Sequence, residues 1–132
     1  FESIHDIVRY TQLNTTETLV ENALKTLQML EEKGYKAVSI SNTWWIKNIA
    51  YRGVNVKLKN SQGDRFELQF HTPESLDVKE KNHKLYEEAR DPKTSKERRM
   101  VLNEQMVAYA SVLVAPRSIE RIVSYEESDD NG

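Results

Sequence analysis

Two runs of alternating residues joined by a turn constrain this chain more than any other stretch. Val54, Val56 and Leu58 alternate with Asn55, Lys57 and Lys59; Asn60-Ser61-Gln62-Gly63-Asp64 follows; then Phe66, Leu68 and Phe70 alternate with Glu67, Gln69 and His71. Period two sends successive side chains to opposite faces, so the pattern predicts an antiparallel hairpin with one apolar face to bury. Such a face needs another layer laid on it. The other face is unusual in composition. Along the returning strand it carries an acid, an amide and an imidazole in a row, spaced by about 7 Å. That row offers a carboxylate for a metal or a proton, an amide for a ribose or phosphate, and a titratable ring.

The remaining segments supply the covering layer. Ile4 to Tyr10 reads as a buried strand with Asp6 and Arg9 embedded in it. Asn14 followed three positions later by Glu17 resembles a capping box, and Leu19, Ala23, Leu27 and Leu30 give the helix behind it an apolar stripe that Gly34 ends. Tyr35 to Ile40 is a second strand, and Ser41 to Gly53 is an irregular loop holding Trp44, Trp45, Tyr51 and Arg52. Pro73 and Glu74 open a helix that Asp91-Pro92 breaks after Arg90, and a second long helix runs from about Ser95 to Leu113. Ile119 to Tyr125 can supply a last strand. The expected architecture is α+β: a mostly antiparallel or mixed sheet with flanking helices. Residues 1–125 form one domain, and 126–132 an acidic, frayed tail.

Composition removes several function classes. A chain of 132 residues buries one core. With no cysteine there is no disulfide, thiolate nucleophile or Cys-based zinc site, and three dispersed histidines do not make a His-only metal centre. No apolar run approaches the roughly 20 residues of a membrane span, so no membrane role is expected. A net charge of −2 argues against dominant attraction to nucleic acid. Lys93, Lys96, Arg98 and Arg99 read as a solvated helix start, His5 as incidental, and the two tryptophans as packing residues. A start on Phe, followed almost at once by strand-like sequence, is expected of a module excised from a longer polypeptide.

Four segments taken in order resemble the synthetase domain of the RelA/SpoT family of nucleotide pyrophosphokinases, a nucleotidyltransferase-like fold. Asp6-Ile7-Val8-Arg9 resembles the early strand whose Asp helps hold magnesium and is followed by an Arg. Tyr51-Arg52-Gly53-Val54-Asn55 resembles the Gly-Tyr-Arg-Ser segment, whose Tyr stacks on the acceptor base. Glu67-Leu68-Gln69 matches the Glu-x-Gln motif, whose Glu binds metal or accepts a proton. Lys79 to Tyr86 resembles the following helix, in which a His and an aromatic residue recur three positions apart, here His83 and Tyr86. The likeness spans roughly Ile4 to Arg90. The sequence departs from the pattern at His71, where long family members have Arg, and at Ala50-Tyr51-Arg52-Gly53. The family's basic ATP-binding segment belongs before Asp6, where this sequence has five residues.

The resemblance is to the compact toxin branch. It implies pyrophosphate transfer from ATP to the 3′-hydroxyl of a guanine or adenine nucleotide, giving a ppGpp- or ppApp-like product, or to an RNA 3′ end. It implies Mg²⁺ held by Asp6 and Glu67, catalysis by Glu67, Gln69 and Asp6, and nucleotide contacts from Arg9, Tyr51, Arg52, Asn55, Lys57, His71, His83 and Tyr86. It further implies a cognate immunity protein and secretion as part of a larger polypeptide acting in the target-cell cytoplasm during bacterial competition. The chemistry is coherent, because pyrophosphoryl transfer needs a metal, carboxylates to hold it and cations to spread charge. Lys79, His83, Tyr86 and Arg90 form one helical stripe that can close such a site. Two other readings stay open: an ADP-ribosyltransferase-type toxin using Glu67 and the aromatics, and a catalytically silent binding domain.

Overall fold

A computed structural model of the chain describes residues 7–127, so the calls on His5, Asp6 and residues 128–132 lie outside the described residues. Val54–Lys59 (β3) and Arg65–His71 (β4) form the expected antiparallel hairpin, with Val56 opposite Leu68 and Lys57 opposite Glu67. Lys36–Asn42 (β2) pairs antiparallel on the far side of β3. Val8–Leu13 (β1) lies parallel on the outer side of β4, with Arg9 beside Glu67 and Thr11 beside Gln69. A two-residue strand, Tyr125–Glu126 (β5), completes the mixed five-stranded order β1-β4-β3-β2-β5.

The apolar face behaves as the alternation demands. Val54, Val56, Leu58, Leu68 and Phe70 are buried against Leu19, Val20 and Ala23 of the helix Leu19–Glu32 (α1), together with Trp44, Ile119 and Ile122. Removing these side chains from water, at about 25 cal/mol per Å², is the main force holding α1 to the sheet. Gly34 ends α1 at φ +95°, where a side chain would be strained; its N–H reaches the Glu31 carbonyl and the next N–H, of Tyr35, reaches back to Leu30.

The opposite face is covered in part by a helical hairpin, Pro73–Arg90 (α2) and Lys96–Ser111 (α3). The bounds follow from local chemistry. Thr72 caps α2 by accepting from the Ser75 N–H while the Ser75 hydroxyl accepts from the Thr72 N–H, and Pro73 takes the first turn, where no donor is needed. Ser95 caps α3 through the Arg98 N–H. Arg98 also pairs with Glu88, and Arg99 donates to the Ala89 carbonyl, so part of the basic cluster ties the two helices together. Buried Asn82 donates to the carbonyls of Ala50 and Met106, joining α2, α3 and the loop before β3.

Four local expectations are corrected. β1 is an exposed edge strand rather than a buried one. The helix expected from Asn14 and Glu17 begins at Leu19: Thr15 and Thr18 hydrogen-bond each other, and Asn14 accepts from Asn22. Ile119 to Tyr125 is mostly a 3-10 turn, Ile119–Arg121, held by buried Asn42, whose Nδ2 donates to the carbonyls of Ile119 and Ile122. Glu126 belongs to β5, and Glu127 is anchored to β2 by its N–H on the Val38 carbonyl and its carboxylate on Lys36.

Candidate active site

Residues paired across a sheet project to the same side. The register therefore places Arg9, Glu67, Lys57 and Ser39 in one row of the polar face, and Thr11, Gln69, Asn55 and Ser41 in the next. His71 closes the file on β4. The Glu67 side chain is only 7% exposed, and its Oε1 accepts from Arg9 Nε at 2.5 Å, while Arg9 itself is 65% exposed. Burying an isolated carboxylate is expensive, and the guanidinium offsets that cost while leaving its outer edge in solvent. Gln69 accepts from Lys79 Nζ through Oε1 at 3.0 Å, which turns the amide nitrogen the other way.

Beyond Gln69 the face dries out. His71 is fully buried, with Nδ1 2.8 Å from the Ser75 hydroxyl and Nε2 2.9 Å from the Tyr51 hydroxyl; Tyr51 in turn donates to Asn55 Oδ1 at 2.6 Å. The Tyr51 and His71 rings meet edge to face, 5.5 Å between centroids at 88°. They approach so closely because position 53 is glycine: a Cβ there would sit 2.7 Å from His71 Cε1 and 2.8 Å from the Tyr51 hydroxyl. Burial, then the nearby positive Lys79, pushes the His71 imidazole down to about 4, so the ring is neutral at neutral pH. Burial raises the Tyr51 phenol above its ordinary value, so it stays protonated.

Two hollows flank this file. One, of about 180 Å³, is lined by Val38, Ser39, Lys57, Lys59 and Arg65, with Glu126 and Glu127 on its β5 side. The other, of about 170 Å³, is lined by Ala50, Tyr51, Lys79, Asn82, His83, Tyr86 and Met106. Glu67 and Gln69 lie on the strand that runs between them. A larger hollow of about 650 Å³ lies elsewhere, between the start of α2 and the end of α3, with Val78, Val112, Leu113 and Val114 on its walls. It carries none of the groups of the polar face, so chemistry rather than size marks the site.

The residues singled out in the sequence fall into three groups. Glu67, Gln69, Arg9, Lys57, Asn55, Tyr51 and His71 share the polar face or hydrogen-bond to it. His83 and Tyr86 stand exposed on α2, with His83 3.7 Å from Glu87 and the Arg90 guanidinium over the Tyr86 ring. Arg52 turns inward, its Nη1 on the carbonyls of Thr43 and Trp44, where it braces the loop. Asp6 lies outside the described residues. Trp44 is buried and Trp45 is 64% exposed. Ser75 and Gly53 have no role assigned from the sequence, being small residues whose signal appears only once the strand and loop are brought together; Lys79, expected on the stripe that closes the site, reaches Gln69.

No family model and no curated protein sequence matches the chain. Among solved structures, the chain is similar to the type VI effector Tas1, crystallised in complex with its immunity protein, at 22% identity and a TM-score of 0.52, over 82% of this chain and 66% of that one. It is also similar to small alarmone synthetase 1 from Bacillus subtilis, bound to its product pppGpp, at 17% identity and a TM-score of 0.47, over 78% of this chain and 53% of that one. The chain thus spans less than two thirds of the length of either. The likeness to the effector is one of fold: this chain is α+β, with a mixed five-stranded sheet and three helices.

Proposed function

We propose that this domain is a toxin-type pyrophosphokinase that moves the β,γ-pyrophosphate of ATP to the 3′-hydroxyl of a guanine or adenine nucleotide, with an RNA 3′ end as the other candidate acceptor. One observation carries the reading: a buried carboxylate, Glu67, is paired in register with Lys57 of a hollow that also holds Lys59, Arg65, Glu126 and Glu127, and lies two residues from Gln69, whose partner Lys79 lines the hollow of Tyr51, His83 and Tyr86. Two-substrate phosphoryl chemistry needs such a set: cations for the donor phosphates, a flat surface for the acceptor base, and a base between them. Arg9, Lys57, Lys59 and Arg65 would take the ATP phosphates, and Tyr51, His83 and Tyr86 would border the acceptor. Glu67 would accept the 3′-hydroxyl proton as the acceptor oxygen bonds to the β-phosphorus; the bond between that phosphorus and the α,β-bridging oxygen breaks and AMP leaves with the oxygen. Gln69, turned by Lys79, would hold a ribose or phosphate oxygen.

The described residues contain no cluster of three or more metal-binding side chains, so they offer no all-protein metal cage. Magnesium is ordinarily held by one or two carboxylates plus substrate phosphates, and Glu67, with Asp6 as the second carboxylate, suits that mode. When bound, the ion would neutralise charge on the phosphates. A role as an effector and neutralisation by an immunity protein are carried over from the likeness to Tas1, and secretion within a larger polypeptide with action in a target-cell cytoplasm from the motif resemblance to the toxin branch. Among the described residues no helix is long and apolar enough to cross a membrane.

The test is incubation of the domain with γ-labelled ATP, Mg²⁺ and each acceptor in turn: guanine nucleotides, adenine nucleotides and RNA. The expected result is label on one acceptor class with release of AMP, and a 10²- to 10⁴-fold slower rate for Glu67→Gln. Label on none of them, or equal labelling by Glu67→Gln, refutes the proposal. The same variant expressed in bacteria, in the intact polypeptide, is expected to lose toxicity.

A further inference from the structure

His71 is fully buried and lines neither hollow, yet both of its ring nitrogens are hydrogen-bonded. Its hydrogens can be counted. Tyr51 has one hydroxyl hydrogen, which goes to Asn55 Oδ1 at 2.6 Å. The 2.9 Å contact between Tyr51 and His71 therefore needs its hydrogen from Nε2. That leaves Nδ1 as the acceptor, matched by the Ser75 hydroxyl at 2.8 Å, which is closer than that hydroxyl's alternative acceptor, the Thr72 carbonyl at 3.2 Å. A proton on both nitrogens would place a buried cation near Lys79. The opposite tautomer would take the Tyr51 hydrogen and strip the bond to Asn55.

We infer that His71 is a positioning residue: as the neutral Nε2–H tautomer set by Ser75, it fixes the Tyr51 ring as the wall of the acceptor hollow. The relay runs from the first turn of α2, through the end of β4, to the loop before β3, so the wall is fastened to three elements. Gly53 is the other half of the device, since its missing Cβ lets the rings meet. The inference rests on the proposed acceptor role of the Tyr51 hollow and deepens it. It predicts that His71 governs acceptor binding rather than ATP binding or the chemical step.

The test pairs a tautomer measurement with kinetics. Nitrogen-15 chemical shifts of the His71 ring at pH 7 are expected to show a protonated Nε2 and a bare Nδ1. A glutamine amide nitrogen reaches roughly where Nε2 lies, whereas asparagine reaches only the Nδ1 position. His71→Asn should therefore raise the acceptor KM about 10-fold with kcat and the ATP KM nearly unchanged, and His71→Gln should restore most of the loss. Ser75→Ala, which leaves Tyr51 untouched, should mix the tautomers and give an intermediate KM; it also serves if His71→Asn does not fold. An Nδ1–H tautomer or an imidazolium at pH 7, an unchanged acceptor KM, or glutamine no better than asparagine overturns the inference. Should the wild-type chain transfer nothing, the enzymatic reading falls by itself. Equilibrium dialysis of GDP and ADP on the same variants, beside the tautomer, then decides the inference.

Discussion

Replacing Gly53 by alanine adds one methyl group at the tightest point of the site. The new Cβ would stand 2.7 Å from His71 Cε1, 2.8 Å from the Tyr51 hydroxyl and 3.0 Å from Tyr51 Cζ. Carbon contacts normally settle at about 3.5–4.0 Å, so the rings must separate by up to about 1 Å. His71 is held on its far side by Ser75, and the Tyr51 hydroxyl is the end that yields. Overpacking of this kind costs about 1–3 kcal/mol, and a buried Nε2–H left without an acceptor costs about 1–3 kcal/mol more. The melting temperature should fall on the order of 10 °C for a chain of this length. Urea unfolding followed by fluorescence of buried Trp44 measures the loss. Tyr51→Phe separates the two costs. Alone it destabilises by removing the hydroxyl from His71 and Asn55; in the Gly53→Ala background the hydroxyl is already displaced, so its removal should cost little. A coupling energy of about 1 kcal/mol or more is expected from the double-mutant cycle. Strict additivity, or a Gly53→Ala variant within about 0.5 kcal/mol of the parent, would falsify the relay as drawn.

The pH dependence has a fixed sign. His71 titrates at about 4 folded against 6.5 unfolded, so between those values the unfolded chain binds more protons, and stability should fall as pH drops from about 6.5 toward 4. Denaturant midpoints across that window should show a decline of at most about 3 kcal/mol, flattened in His71→Gln. Asn42→Ala should cost at least about 2 kcal/mol, because the Ile119 and Ile122 carbonyls and the Trp44 N–H all lose their partner; urea midpoints check it. Arg9→Ala strips the buried Glu67 of its cation, so both stability and transfer rate should drop, whereas Lys59→Ala should raise only the ATP KM, and more so at low salt.

What could be read in the sequence was what local chemistry decides. The hairpin of β3 and β4, the proline-opened α2, the Ser95 start of α3 and the glycine end of α1 each follow from a few adjacent residues. Glu67, Gln69 and His71 sharing one face followed from alternation alone. What escaped was decided at a distance. Nothing within Val8–Leu13 announces that it pairs parallel to β4, or that it lies exposed at the sheet edge. The Asn14–Glu17 signal was genuine as a turn and false as a cap, since threonine hydroxyls satisfy each other there and the helix waits for Leu19. Asn42 resembled any polar loop residue until the 3-10 turn laid two carbonyls against it.

The sheet buries side chains on both faces, but by opposite means. On the α1 side, burial is its own reward, since Phe70, Val56 and Leu58 leave water. On the other side, Glu67, Gln69 and His71 are each almost fully buried, and each requires a partner from a different element: Arg9 from β1, Lys79 from α2, Tyr51 from the loop. An apolar trio there would need none of these partners and would pack at least as well. The polar file therefore lowers the stability the fold could reach, while fixing three charged or proton-bearing groups in register along a single strand. A structural sheet has no use for that arrangement. The proposed transferase would use it to align a phosphate donor, a proton acceptor and a flat base, with β4 holding the spacing between them.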